Sequence, residues 1–334
     1  MRFKRVCDFC LQVTYYQDEH KGSSRCSYFC NFCSRFDFFL MSTNRLTYRQ
    51  LCIKKVKLAQ TRRHYSTSDE MRYILYGDGN QFSLYDTQLS EYIRSHISGP
   101  SLTQPRLLAK SHKARFPTMA TFVDKLLSGR RNGFFVECGA ADGAYQSNSL
   151  FFELKRNWTA LLIEPNPYFY RAMLNKNRRA YVLRSCLSTQ RRPATAQILP
   201  AGLLGGILSK MPSDFLAYIG KKKLQKHQVA VHSFPLNAIM AALNISHVDY
   251  LSLDVQGPEL EILRMVDWTR LHIDVITVEY VITGGPKIGK NINATLNKFR
   301  KLRQFFRETG IYREVATLPP GNEAVGSDIV LFRI

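Results

Sequence analysis

From Asn132 to the C-terminus, short apolar runs alternate with helix-length amphipathic segments, and this alternation constrains the fold more than any other feature. The strand-like runs are Gly133–Glu137, Ala160–Glu164, Ala180–Leu183, Val248–Asp254, Ile273–Glu279 and Asp328–Phe332. Helical patterns cover Ser149–Lys155, Tyr168–Lys176, Leu236–Leu243, Pro258–Met265 and Ile292–Thr309. Strand, helix, strand in succession predicts parallel pairing, because a parallel crossover takes a dozen or more residues and packs its helix on the sheet. The expected fold class is therefore α/β, a doubly wound and mostly parallel sheet. Residues 190–235, with Lys221, Lys222, Lys223 and Lys226, interrupt the alternation and read as an irregular insertion. Upstream, Phe122–Leu127 and Thr87–Ser95 read as short helices, and residues 66–118 as a linker that wraps the domain formed by 119–334.

Residues 1–65 differ in kind. They form a basic extension that holds six of the eight cysteines and shows no sustained helical or strand period, so it is expected to be irregular, disordered or zinc-binding. Cys7-x2-Cys10 and Cys30-x2-Cys33 have a paired-knuckle spacing, and four thiolates suit tetrahedral zinc. Cys26, Cys52 and His20 are spare ligands. The net charge is +21, spread over the chain: 21 basic against 10 acidic residues in 1–130, and 26 against 16 in 131–334. Such a balance favours anionic partners, nucleic acid included, or simply a basic surface. No run of eighteen apolar residues and no signal-peptide core is visible, so a soluble, cytoplasmic chain is expected. Sequons at Asn157, Asn244 and Asn293 matter only in a secretory compartment.

Three motifs carry chemistry. Glu137-Cys138-Gly139-Ala140-Ala141-Asp142-Gly143 follows the first strand directly. Glycines 139 and 143 permit a tight turn and close approach of a ligand, with small Ala141 keeping the turn open. The pattern lacks the dinucleotide form, as suits a sulfonium cofactor without a pyrophosphate, whose charged amino-acid end Glu137 would meet. Glu164 ends the next strand, 21 residues after Gly143, where a carboxylate accepts ribose hydroxyls in nucleotide-binding units. Asp254 ends a third strand before Gln256-Gly257-Pro258-Glu259, and Glu279 ends a fourth. Pro258 and Glu259 suit a helix start, whereas Asp254 faces the ligand end of the sheet. His247 reads as a surface loop residue.

Phe135-Val136-Glu137-Cys138-Gly139-Ala140 with Ser147-Asn148-Ser149, Leu162-Ile163-Glu164-Pro165-Asn166-Pro167, Ser185-Cys186-Leu187-Ser188 and Ser252-Leu253-Asp254-Val255-Gln256-Gly257 occur in that order. Together they resemble the FkbM methyltransferase domain family over residues 85–334, and within it the animal branch that includes protein Star. The resemblance implies a seven-stranded class I S-adenosylmethionine-dependent methyltransferase sheet, with S-adenosyl-L-methionine as cofactor. It places Ser185 and Cys186 near the adenine. Many family members have DVEG where this chain has DVQG, so one carboxylate is missing from any metal or acid–base role there, and no metal is expected at the site. The branch implies an alternative, a catalytically silent protein that handles cargo in endomembrane trafficking.

Methyl transfer depends on alignment of nucleophile, methyl and sulfur, and a hydroxyl acceptor also needs a base. Asp254 is the first candidate base and Glu279 the second. The expected acceptor is a small molecule, glycan or lipid-like alcohol. No (D/N)PPY motif is present, which argues against a nucleobase amino group as target.

Overall fold

The computed structural model describes residues 83–103, 105, 118–220, 227–282, 291–318 and 327–334. The cysteine knuckle at 7–33 and the lysine run at 221–226 lie outside the described residues. Among the described residues the first element is helix α1 (Thr87–Ser95), where the sequence predicts it. Asp86 caps it, its carboxylate accepting from Leu89 N at 3.0 Å. Leu89 and Ile93, four residues apart and so on one face, are buried in the main core. The two residues of β1 (Ile97–Ser98) then add an antiparallel edge strand.

Next come α2 (Thr118–Leu126), β2 (Phe134–Cys138), α3 (Leu150–Arg156), β3 (Thr159–Ile163), α4 (Pro167–Leu174) and β4 (Ala180–Leu183). Asn166 caps α4 by accepting from Tyr168 N at 3.0 Å, and Pro167 takes the first helical position, whose N–H would have no partner. Strands β2, β3 and β4 pair in parallel. Their residues alternate between two apolar layers. Val136, Leu161 and Ile163 face one, and Phe135, Ala160 and Leu162 face the other. Burial on both faces explains why these strands read as continuous apolar runs.

The stretch expected to be an irregular insertion is a second sheet. It contains β5 (Cys186–Leu187), β6 (Ala194–Leu199) and β7 (Gly206–Ile207), then α5 (Ser213–Ile219) and β8 (Val229–Phe234). The strand order is β5-β8-β6-β7. Two of these strands have only two residues, and β5 pairs with β8 across more than forty residues of chain, so no local period announces them.

The chain then returns to the main sheet through α6 (Leu236–Ala242), β9 (His247–Leu253), α7 (Glu259–Met265), β10 (His272–Glu279), α8 (Ile292–Thr309), β11 (Tyr312–Leu318) and β12 (Asp328–Arg333). The order is β1-β4-β3-β2-β9-β10-β12-β11, parallel from β4 to β10 and antiparallel at β12 and β11. Seven strands from β4 to β11 form the expected class I methyltransferase sheet, and β1 makes an eighth at its edge. Strand β11 escapes sequence reading because it is a half-exposed edge strand with a register shift between Glu314 and Ala316. Among the described residues no helix is long and apolar enough to cross a membrane.

Candidate active site

Strand β2 lies between β3 and β9, where the chain order reverses, and open α/β sheets bind ligands at the carboxyl ends of strands at such a point. A cavity of about 250 Å³ opens there. Gly139, Ala141, Glu164, Ser185, Cys186, Asp254 and Glu279 all line it, so the fold brings seven of the nine expected site residues together. The opposite wall is Leu204, Gly205, Gly206 and Ile207, around the β6–β7 turn. Sequence reading missed that wall because it belongs to the second sheet.

Glu164 is buried, yet it keeps acceptor capacity. Its Oε2 accepts from Ala141 N and its Oε1 from Asn166 N, each at 2.8 Å. Ala141 presents that N–H from a left-handed conformation, φ +46°. A carboxylate offers about four lone-pair sites, so about two are left for a ligand. Burial pushes the Glu164 carboxyl up to about 7 against the pull of these two amides, and the nearby Asp254 charge adds to the rise. Burial also pushes the Cys186 thiol up to about 12, which makes it a neutral wall group and not a nucleophile. Ser185 is fully buried on the same wall, and its Oγ has no hydrogen-bond partner. An orphaned buried hydroxyl costs about 1–3 kcal/mol.

Glu137 and Gly143, expected at the cofactor, are not on the cavity wall. The Glu137 carboxylate is taken up by Ser147 Oγ (2.8 Å), Ser149 Oγ (2.6 Å) and Asn148 N (2.8 Å). Burial raises its pKa, with the Arg178 charge pulling the other way. Gly143 is required by packing, since a Cβ there would lie 2.7 Å from Met173 Cγ on α4. Glu137 therefore fixes the turn from behind, in a network centred on Arg178. That guanidinium is 2% exposed, bonds Glu153 at 2.6 Å and Ser149 Oγ at 2.8 Å, and reaches the Gly143 carbonyl. Arg178→Met is expected to destabilise the chain by about 3–5 kcal/mol, because it strands buried Glu153 without a counter-charge. Urea denaturation would read the loss, and a change below about 1 kcal/mol would contradict the network.

Asp254 and Glu279, partly buried, end adjacent strands. The Gln256 amide bridges them, donating to Asp254 Oδ1 at 2.7 Å and Glu279 Oε2 at 2.8 Å. Gln256 reaches both from a left-handed backbone, φ +61°. Burial raises both carboxyls, Glu279 the more strongly because the Asp254 charge adds to it. The two carboxyls therefore titrate as one coupled pair, with the Gln256 amide donating to both. Glu259 does more than start a helix. It is fully buried, accepts from Val255 N and Gly257 N at 3.1 Å, and pairs with Lys298 Nζ at 2.5 Å. One carboxylate oxygen from each of Asp254, Glu259 and Glu279 lies within 4.8 Å of the others, with Lys298 paired to Glu259 and the Gln256 amide donating to Asp254 and Glu279.

Residues 137–311 match the family model of the methyltransferase FkbM domain. Among solved structures, the chain is similar to the methyltransferase FkbM of Methylobacillus flagellatus KT (13% identity, TM-score 0.36), covering 73% of this chain and 50% of that one. It is also similar to an SAH-bound methyltransferase of Podospora anserina (9% identity, TM-score 0.36, 88% of this chain and 100% of that one). A third is the precorrin-6y C5,15-methyltransferase of Geobacter metallireducens GS-15 (13% identity, TM-score 0.32, 70% of this chain and 94% of that one). The chain spans half the length of the Methylobacillus protein. No curated protein matches it in sequence.

Proposed function

The chain belongs to the FkbM methyltransferase domain family, and from that premise we propose that it is an S-adenosylmethionine-dependent methyltransferase acting on a hydroxyl group. The orphaned Ser185 hydroxyl, buried on the wall that Glu164 also lines, carries the proposal. A polar ligand that completes both groups removes the cost of leaving Ser185 unpaired. Glu164, with its free lone pairs, would hold the ribose hydroxyls, and Ser185 would meet a polar edge of the base. When bound, the cofactor supplies an electrophilic methyl on sulfur. Asp254 then takes the acceptor's proton, and Glu279, held by the same Gln256 amide, keeps Asp254 oriented.

A second cavity, of about 290 Å³, shares Leu204 and Gln256 with the first, which makes it the natural approach for the acceptor. Its walls include Met211, Phe215, Val281 and Ile282. Apolar walls favour a lipid-like or other apolar-bodied alcohol over a bare glycan.

The test is calorimetric titration of the full chain with S-adenosylmethionine and S-adenosylhomocysteine, beside Asp254→Asn. S-adenosylhomocysteine affinity is expected to stay within a few-fold in the variant, while methyl transfer to an alcohol acceptor falls by about 10²–10⁴, the usual share of a general base. A folded chain that binds neither ligand would overturn the enzyme reading. It would leave the silent, Star-like role with a protein cargo in its place.

A further inference from the structure

Strands β9 and β10 open with the same pattern, His247-Val248-Asp249 and His272-Ile273-Asp274. They are parallel neighbours, with His272 opposite His247. Residues i and i+2 share a face of a strand. One face of the sheet therefore presents two imidazoles and two carboxylates side by side. This lies at the amino-terminal ends of the strands, the opposite end from the candidate active site. His247 is not the loop residue that the sequence suggests, because it starts β9.

The side chains converge. His247 Nε2 lies 3.0 Å and His272 Nε2 2.9 Å from one oxygen, Asp274 Oδ1. The three ligand atoms lie within 4.8 Å of one another. Both imidazoles are half exposed, at 50% each, which leaves one side of the cluster open to solvent. Arg130 holds the other oxygen of Asp274 and reaches Asp249 Oδ1 at 2.5 Å. That contact turns Asp274 Oδ1 toward the histidines, as an outer partner orients a metal ligand. Two carboxylates against one guanidinium leave one net negative charge where the imidazoles are neutral.

We propose that His247, His272 and Asp274 bind a divalent transition-metal ion of the zinc type. Two imidazole nitrogens and one carboxylate oxygen suit zinc, cobalt or nickel, whereas magnesium and calcium prefer all-oxygen ligands. Metal–ligand bonds of about 2.0–2.1 Å put tetrahedral ligand atoms about 3.3 Å apart, so each histidine nitrogen needs to move only a few tenths of an ångström from Asp274 Oδ1, and the two nitrogens already lie within 4.8 Å of one another. Solvent or a group from a partner completes the coordination. At this end of the sheet the ion ties the starts of β9 and β10 to Arg130, and the site stands independently of the methyl-transfer reading.

Cobalt(II) is the probe, because its visible bands distinguish nitrogen and oxygen ligands from thiolates. The distinction matters because six cysteines within residues 1–52 also offer ligands. The full reduced chain is titrated beside the double variant His247→Gln, His272→Gln, in which each amide can still donate to Asp274. One equivalent of cobalt with nitrogen–oxygen bands is expected to disappear in the double variant, or to bind at least about tenfold more weakly, with unchanged circular dichroism. His272→Gln alone is expected to show the same loss, should the double variant fold poorly. Equal stoichiometry and spectra in wild type and variants would overturn the site, as would wild-type binding of thiolate character alone.

Discussion

Glu164→Ala is expected to weaken S-adenosylhomocysteine binding by at least about 100-fold. Hydrogen bonds to a charged group are worth about 1.5–3 kcal/mol each, and two hydroxyl contacts therefore amount to two to four powers of ten. The same carboxylate accepts from Ala141 N and Asn166 N, so the alanine variant also releases the turn that carries Ala141. Glu164→Gln, which keeps one acceptor oxygen, separates the two effects and should lie between. The pH dependence is a second signature. The Glu164 carboxyl stands at about 7 in the free protein, above its ordinary 4.5, and hydroxyl donors favour its ionised form. Affinity should thus fall about tenfold per unit as pH drops below 7 and level off above it. The glutamine variant should lack this slope. The stability of the free chain runs the other way. A carboxyl raised in the folded state contributes stability that is full below about 4.5 and lost as pH rises through 7. Calorimetry between pH 5.5 and 8 reads the first trend, and wild-type affinity independent of pH would contradict the role given to Glu164.

Gly139→Ala is expected to cost on the order of 4 kcal/mol or more, the range reserved for backbone strain and forced overpacking. Gly139 sits at φ +83°, and a Cβ there would lie 1.8 Å from the Asp254 carbonyl oxygen. Asp254 N donates to Cys138 O at 3.1 Å at the same point, so the ends of β2 and β9 are clamped, and the oxygen belongs to backbone, which no rotamer change can move. Gly310 supplies the control, because it sits in the left-handed helical well, φ +64° and ψ +7°, with nothing within 4 Å of its Cβ position. Gly310→Ala should cost only the conformational penalty of about 1 kcal/mol. Urea denaturation with near-ultraviolet circular dichroism compares them, and near-equal losses would show that β2 and β9 can part at this turn. Substitution at Gly139 therefore tests folding before it tests cofactor binding. A ligand-blocking change is better made at Ser185 or Glu164.

The FkbM methyltransferase domain is legible in the sequence because its signals are local. Gly139, Glu164 and Asp254 each follow an apolar run, and the end of such a run is a place at which an open sheet binds ligands. The role of Glu137 was not legible. A carboxylate one residue before the turn looks ligand-facing in sequence, yet alternation along β2 turns it toward Ser147 and Ser149. In sequence Gln256 is only the loss of a carboxylate, and its bridge between Asp254 and Glu279 depends on β9 and β10 lying side by side. The repeated His-x-Asp stood in plain view, but only the register of β9 against β10 puts both nitrogens on one oxygen.

By itself, the sequence determined the alternation of strands and helices, the caps at Asp86 and Asn166, and the spacing from Gly143 to Glu164, because each depends on residues a few positions apart. The tertiary structure alone decided the second sheet, the edge strand β11, the wall at Gly205–Gly206, the burial of Arg178 among Glu153, Ser147 and Ser149, and the Gln256 bridge between Asp254 and Glu279. Those features come from pairings between segments far apart in the chain. The free energy that fixes them comes from burial and desolvation, which no local pattern records.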